Sequence, residues 1–174
     1  MIPIKIEFMQ VRDLDEVMRI EKMSFPSPWS RQMFLIDLLD NSSAYYLVAR
    51  YQGKVVGYTG FWLIGDEMHI ANLAVDPDLR RQKIAQRLLL AGFNLALSKG
   101  AQKSTLEVRV SNLAAQKLYE KFGFIKAGIR KGYYSDKNED AVIMWVYQMD
   151  NPQFQKRLRT LEVELRKIPE DLPL

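Results

Sequence analysis

The sequence predicts one α/β domain with a mostly consecutive sheet and a helical C-terminal appendage. Three observations carry that prediction. Strand-length runs rich in β-branched and aromatic residues alternate with segments whose apolar residues recur every three or four positions. Short turn signals such as Gln52-Gly53 and Lys99-Gly100 separate them. A leucine stripe at helical spacing trails the last strand-like run.

In order, "IKIEFM" reads as a strand, and Leu14, Val17, Met18 and Ile20 then recur at helical spacing. Pro26 and Pro28 in "FPSPWS" break the chain, and Ser30 is placed to cap a second helix, "RQMFLIDLLD". The runs "AYYLVARY" and "KVVGYTGFWLI", joined by Gln52-Gly53, predict a hairpin. A further strand, "MHIANLAV", ends at Asp76-Pro77. The next helix puts Ile84, Leu88, Ala91 and Leu95 on one face and has Gly100 as its stop. A strand "STLEVRV" follows, then a helix from Asn112 to Phe122 that Gly123 can terminate. Two late strands, "FIKAGIRKGYY" and "DAVIMWVYQM", flank the charged turn "SDKNED". From about residue 150, Leu158, Leu161, Leu165 and Ile168 predict an amphipathic helix ended by Pro169. The expected division is a domain over 1–149 and a helical extension over 150–174. The extension could pack on the domain, pair with another copy or dock a partner.

Composition narrows the chemistry. The chain has 174 residues and no cysteine, so disulfides, thiolate metal sites and a cysteine nucleophile are excluded. The single histidine, His69, rules out a multi-histidine metal site, and no metal is expected. His69 itself reads as structural. The N-terminal stretch has early acidic residues and no long apolar run, so a cytoplasmic location is the default and no membrane contact is expected. A net charge of +4 fits a phosphate-bearing ligand without requiring direct nucleic-acid binding.

The stretch "DPDLRRQKIAQRLLL" runs from a strand end into a helix start crowded with Arg80, Arg81 and Lys83. The unpaired N–H groups and partial positive charge of a helix N-terminus attract anions. A solvated basic helix start would look the same. The segments "NLAVDPDLRRQKIAQRLL", "LEVRVSNLAAQKLYEKFGF" and "IRKGYYSDKNEDAVIM", with "SFPSPWS", together resemble the Gcn5-related N-acetyltransferase (GNAT) superfamily over roughly residues 3–149. Within it they are most similar to the ribosomal-protein-alanine N-acetyltransferase (RimI-type) branch. The resemblance implies a GNAT-like fold: a mixed, mostly antiparallel sheet, splayed at an acetyl-coenzyme A site and flanked by helices. It also implies direct acetyl transfer from acetyl-coenzyme A to a primary amine, without an acyl-enzyme.

Carried onto this chain, the resemblance assigns backbone contacts with pantetheine and the acetyl carbonyl to Leu73, Ala74 and Val75. It assigns the pyrophosphate to the turn comprising Arg80, Arg81, Gln82, Lys83, Ile84, Ala85 and Gln86, and a further cofactor contact to Asn112, which could equally be a helix cap. The family loop usually carries glycine where Lys83 stands. Residue 83 is expected to have negative, helical φ, so that glycine there would serve close approach and not conformation.

Glu107 is implied as general base, acting through water, and Tyr119 as general acid toward the departing thiolate and as a cofactor contact. From the residues alone, strand alternation puts Thr105, Glu107 and Arg109 on one face. A glutamate within an interior strand is costly unless paired or wetted. An ion pair with a neighbouring arginine is the simpler account of Glu107, and core packing that of Tyr119. An α-ammonium titrates near ~8 and a lysine ammonium near ~10.4, so an N-terminal amine needs less help from a carboxylate. Tyr133, Tyr134 and Trp29 are implied as walls of the acceptor channel. The expected acceptor is a protein N-terminus, with alanine on a ribosomal protein leading. Other N-termini, lysine side chains and small amines are alternatives, as is a non-catalytic acyl-coenzyme A-binding module.

Overall fold

The computed structural model describes residues 2–166. In chain order these form β1 (Lys5–Phe8), α1 (Leu14–Ser24), α2 (Arg31–Leu39), β2 (Ala44–Tyr51), β3 (Lys54–Ile64), β4 (Glu67–Val75), α3 (Ile84–Ser98), β5 (Lys103–Arg109), α4 (Leu113–Lys121), β6 (Ile125–Tyr134), β7 (Glu139–Val146) and α5 (Pro152–Arg166). The seven strands make one sheet in the order β1-β2-β3-β4-β5-β7-β6. Every neighbouring pair is antiparallel except β4 and β5.

Local signals place most boundaries. The Ser30 hydroxyl accepts the Met33 N–H at 3.3 Å and starts α2. Gln52 and Gly53 both have positive φ, as a tight hairpin turn requires. Gly100, at φ +89, lets Ala101 N–H bond back to the Ala96 carbonyl at 3.0 Å and closes α3. β7 ends earlier than its sequence suggests. Gln148 takes a left-handed φ of 56, and the turn sends the buried Met149 under the sheet to bond the Gln102 carbonyl at 2.7 Å.

Two layers of helices enclose the sheet. The buried side chains of α1 and α2 (Leu14, Val17, Ile20, Phe34) pack with Tyr46, Val48, Tyr58 and Ala74 on one face. Phe93 and Leu89 of α3, Tyr119 of α4 and Phe154, Leu158, Leu161 and Leu165 of α5 pack with Phe61, Ile70, Leu106 and Val108 on the other. The leucine stripe of the extension therefore packs on its own domain. At about 1.5–3 kcal/mol for each fully buried large side chain, this is a substantial part of the core. Ile168 and Pro169 lie outside the described residues.

The feature that positions the site is the β4–β5 junction. These strands pair only from Glu67–Lys103 through His69–Thr105. Beyond that point β4 stays with β3, and β5 stays with β7 along Ser104–Arg109. The sheet therefore opens into a V, whose free strand edges are Ile70–Val75 and Leu106–Arg109. Next to the opening, β3 and β4 slip register at a β-bulge: Phe61 faces Ile70 but Gly60 faces Asn72, leaving Ala71 extra.

Candidate active site

A cleft of about 900 Å³ runs through the V. Leu73, Ala74 and Val75 line it from the free edge of β4, as do Glu107 from β5 and Tyr119 from α4. Arg80, Arg81, Lys83, Ile84, Ala85, Gln86 and Asn112 line it as well. Gln82, predicted with them, is not among the lining residues.

The basic turn has a backbone that the sequence reading did not foresee. Lys83 has φ 58 and ψ 18, in the left-handed region, where negative φ was expected. Arg81 is also left-handed, at φ 65, while Gln82 between them is not. Alternation of this kind curls successive N–H groups toward a common point and forms an anion-binding concavity. The glycine usual at position 83 thus serves conformation, and lysine there costs roughly 1–2 kcal/mol. Lys83 gives no side-chain cap to α3, whose first ring-closing bond runs from Arg87 N–H to the Lys83 carbonyl. The N–H groups of Ile84, Ala85 and Gln86 consequently have no intrahelical acceptor. A pyrophosphate suits this arrangement. The Gln86 side chain accepts from Lys121 Nζ at 3.3 Å, which ties the turn to α4, and the same ammonium reaches Glu164 of α5 at 3.1 Å.

Asn112 does cap α4, its Oδ1 accepting the Ala115 N–H at 3.1 Å, and it also lines the cleft. The cap reading of this residue therefore holds.

Glu107 is nearly enclosed, with 7% of its side chain exposed. Its Oε2 accepts from His69 Nε2 at 2.8 Å, and its Oε1 lies 3.5 Å from Arg130 Nη2. The His69 hydrogen bond, helped by the Arg130 charge, holds the carboxyl below its ordinary range despite burial. The parallel pairing of His69 with Thr105 sets it beside Glu107, two residues along the same face, so the histidine read as structural touches the predicted base. Sequence reading missed it because that pairing joins segments 36 positions apart, with a helix between them. The arginine at Glu107 is Arg130, from β6. Arg109 on the same strand instead binds Asp136 at 2.7 Å and Glu139 at 3.3 Å, and lies 4.1 Å over the Tyr134 ring.

Tyr119 is 7% exposed, and its ring lies edge-on to Phe124 at 5.7 Å. Burial, and then the nearby Tyr134, push its phenol upward from the ordinary value, so it stays protonated. It is core packing and cleft wall at once. Tyr134 donates to the Glu107 carbonyl at 3.3 Å, and burial pushes its phenol up to about 12. Tyr133 is 47% exposed and stands perpendicular to Tyr134. Trp29, in the α1–α2 connection, lines the same cleft. It stacks on Trp62 at 6.4 Å, and Trp62 in turn meets His69 edge-on at 5.5 Å. The structure thus links the proline-kinked segment to the Glu107–His69 pair through one intervening ring, that of Trp62.

A family model described as the acetyltransferase (GNAT) family matches residues 14–124, and the chain belongs to this family. It is accordingly an N-acetyltransferase that uses acetyl-coenzyme A. Its relatives narrow the class. The chain is 46% identical over 138 residues to a Bacillus subtilis protein named as a candidate ribosomal protein bS18-alanine N-acetyltransferase, covering 79% of this chain and 91% of that protein. It is 37% identical over 147 residues to the ribosomal protein bS18-alanine N-acetyltransferase of Haemophilus ducreyi, covering 82% and 99%. Among solved structures, the ribosomal-protein-S18-alanine N-acetyltransferase of Escherichia coli superposes with a TM-score of 0.76 at 33% identity, covering 83% of this chain and 94% of that one.

Proposed function

We propose that this enzyme acetylates the α-amine of a protein N-terminus, with an N-terminal alanine on a ribosomal protein as the leading acceptor, and that it does so in the cytoplasm. The observation that carries the reading is the enclosed, ionised Glu107, hydrogen-bonded to His69 and set within the V. A carboxylate held below its usual range is a weak base. It suits an α-ammonium near ~8 better than a lysine ammonium near ~10.4. The names of the relatives point to the same acceptor.

Glu107 takes the ammonium proton through a water, and the freed nitrogen forms its bond to the thioester carbonyl carbon. As the carbon–sulfur bond breaks, Tyr119 gives its phenolic proton to the thiolate. It regains one from the nitrogen, which sheds its second proton on becoming the amide, while Glu107 passes the first to solvent. The free edge of β4 at Leu73, Ala74 and Val75 pairs with the pantetheine arm as an added strand would. The turn from Arg80 to Gln86 holds the pyrophosphate, and Asn112 contacts the cofactor at the next helix start. Trp29, Tyr133 and Tyr134 flank the acceptor chain.

Incubating the protein with acetyl-coenzyme A and a library of N-terminal peptides tests the reading. Ala-initiated peptides are expected to be modified, and Glu107→Gln and Tyr119→Phe should each lower kcat roughly 100-fold or more. Unchanged rates in both variants would remove the assignment of roles.

A further inference from the structure

Among the described residues, five buried side-chain polar atoms have no hydrogen-bonding partner in the protein, and three of them line the cleft: Ser24 Oγ and both Oδ1 and Nδ2 of Asn72. Asn72 is only 8% exposed. Leaving a buried amide unpaired costs about 1–3 kcal/mol per group, so such an atom calls for an explanation.

The surrounding polar groups are all matched to one another. Asp37 accepts from Tyr46 at 2.7 Å, Trp62 at 2.9 Å and Asn41 at 3.0 Å. Glu21 accepts from the Tyr58 hydroxyl and, at 2.8 Å, from the Trp29 N–H. The carboxamide of Asn72 lies beside the Tyr46 hydroxyl, whose proton Asp37 already accepts, and it and the Ser24 hydroxyl make no hydrogen bond there.

The fold makes specific provision for Asn72. In a regular strand, residues 69 and 72 would point to opposite faces of the sheet. The bulge at Ala71 shifts the register, so that Asn72 lies opposite Gly60 while His69 lies opposite Trp62. Gly60 and Trp62 are two residues apart, so His69 and Asn72 share the face that carries Glu107. Gly60 is needed for this: a Cβ there would lie 2.6 Å from Asn72 Oδ1 and 2.1 Å from the Tyr46 ring.

A primary carboxamide offers an acceptor and two donors, matching the N–H and C=O of a peptide unit. A simple amine has no such pair. We propose that Asn72, assisted by Ser24, binds the first peptide unit of the acceptor, so that the enzyme selects a peptide N-terminus over a free amine. The inference rests on the reading of the site as an N-terminal acetyltransferase.

The test uses the full chain, acetyl-coenzyme A and two acceptors: an Ala-initiated peptide, and its analogue in which an ester replaces the first peptide bond and removes that N–H. The wild-type enzyme should favour the peptide by roughly tenfold in kcat/KM, the scale of one buried hydrogen bond. Asn72→Leu should lower kcat/KM for the peptide and bring the two acceptors to near equality, without lowering Tm, since it removes unpaired buried groups. Should that variant not fold, Ser24→Ala provides the second measurement and should narrow the same ratio. A wild-type enzyme indifferent to the ester, or a peptide-to-ester ratio that the variants leave unchanged, overturns this assignment while leaving the N-terminal reading standing. Failure of the wild-type enzyme to acetylate any N-terminal peptide overturns both.

Discussion

His69 Nε2 lies 2.8 Å from Glu107 Oε2 across the point where β4 and β5 part company. The contact joins the only histidine of the chain to the carboxylate near the apex of the V. Removing it should have a signature distinct from general destabilisation. His69→Ala should reduce kcat by about tenfold, a part of the usual contribution of a positioned base. Because His69 lowers the pKa of Glu107, its loss raises that pKa. The acidic limb of the kcat/KM profile should therefore move to higher pH. A pH–rate series on the two proteins checks this, and an unmoved limb would separate His69 from the proton transfer.

Lys83 and Arg81 both sit in the left-handed region in the basic turn that precedes α3. Lys83→Gly should relieve roughly 1–2 kcal/mol of strain, less the roughly 0.5–1 kcal/mol that glycine costs in chain entropy. The expected net gain is about 0–1.5 kcal/mol, or a Tm rise of at most ~3–6 °C in a chain this long. Lys83→Ala keeps the strain and should gain nothing. Calorimetric melts of the three proteins decide the matter; a Tm for Lys83→Gly below that of Lys83→Ala would contradict the strained backbone.

Glu21 is buried against Tyr58 and the Trp29 amide, and desolvation raises its pKa to about 7. A carboxyl whose folded pKa exceeds its unfolded value near 4.5 contributes stability that is complete below about pH 4.5 and is lost as pH rises through about 7. Glu21→Gln cannot ionise. Its Tm relative to the wild type should therefore climb between pH 5 and about pH 8 and then level off. A difference independent of pH would mean that Glu21 ionises normally.

Phe154 of α5 is 6% exposed and meets Phe93 of α3 edge-on at 5.5 Å. Phe154→Ala should destabilise the protein by about 3–5 kcal/mol in urea titration. A loss below about 1 kcal/mol would show that α5 is an appendage and not part of the core.

Much of this molecule is written in short-range signals. The Gln52-Gly53 hairpin, the Ser30 cap, the Gly100 and Gly123 helix stops and the apolar stripes of α1, α3 and α5 each depend on residues within a few positions of one another. Those elements could be placed from sequence, and the motif segments that resemble the acetyltransferase family come from the same local stretches. Glu107 could also be singled out, since a carboxylate in an interior strand violates the expected pattern wherever that strand lies.

Other properties depend on which segments meet. That the partner of Glu107 is His69, that its arginine is Arg130 and not Arg109, and that Asn72 turns onto the same face all follow from strand register and one bulge. A shift of one residue reverses a side chain's face, and no local preference encodes it. The handedness of Lys83 was misjudged for the same reason: lysine prefers negative φ, and only the turn joining β4 to α3 over the cleft imposes the opposite. Local signals suffice for the elements, the family resemblance and the carboxylate; what that carboxylate touches is set by contacts between segments far apart in the chain, which only the folded molecule brings together.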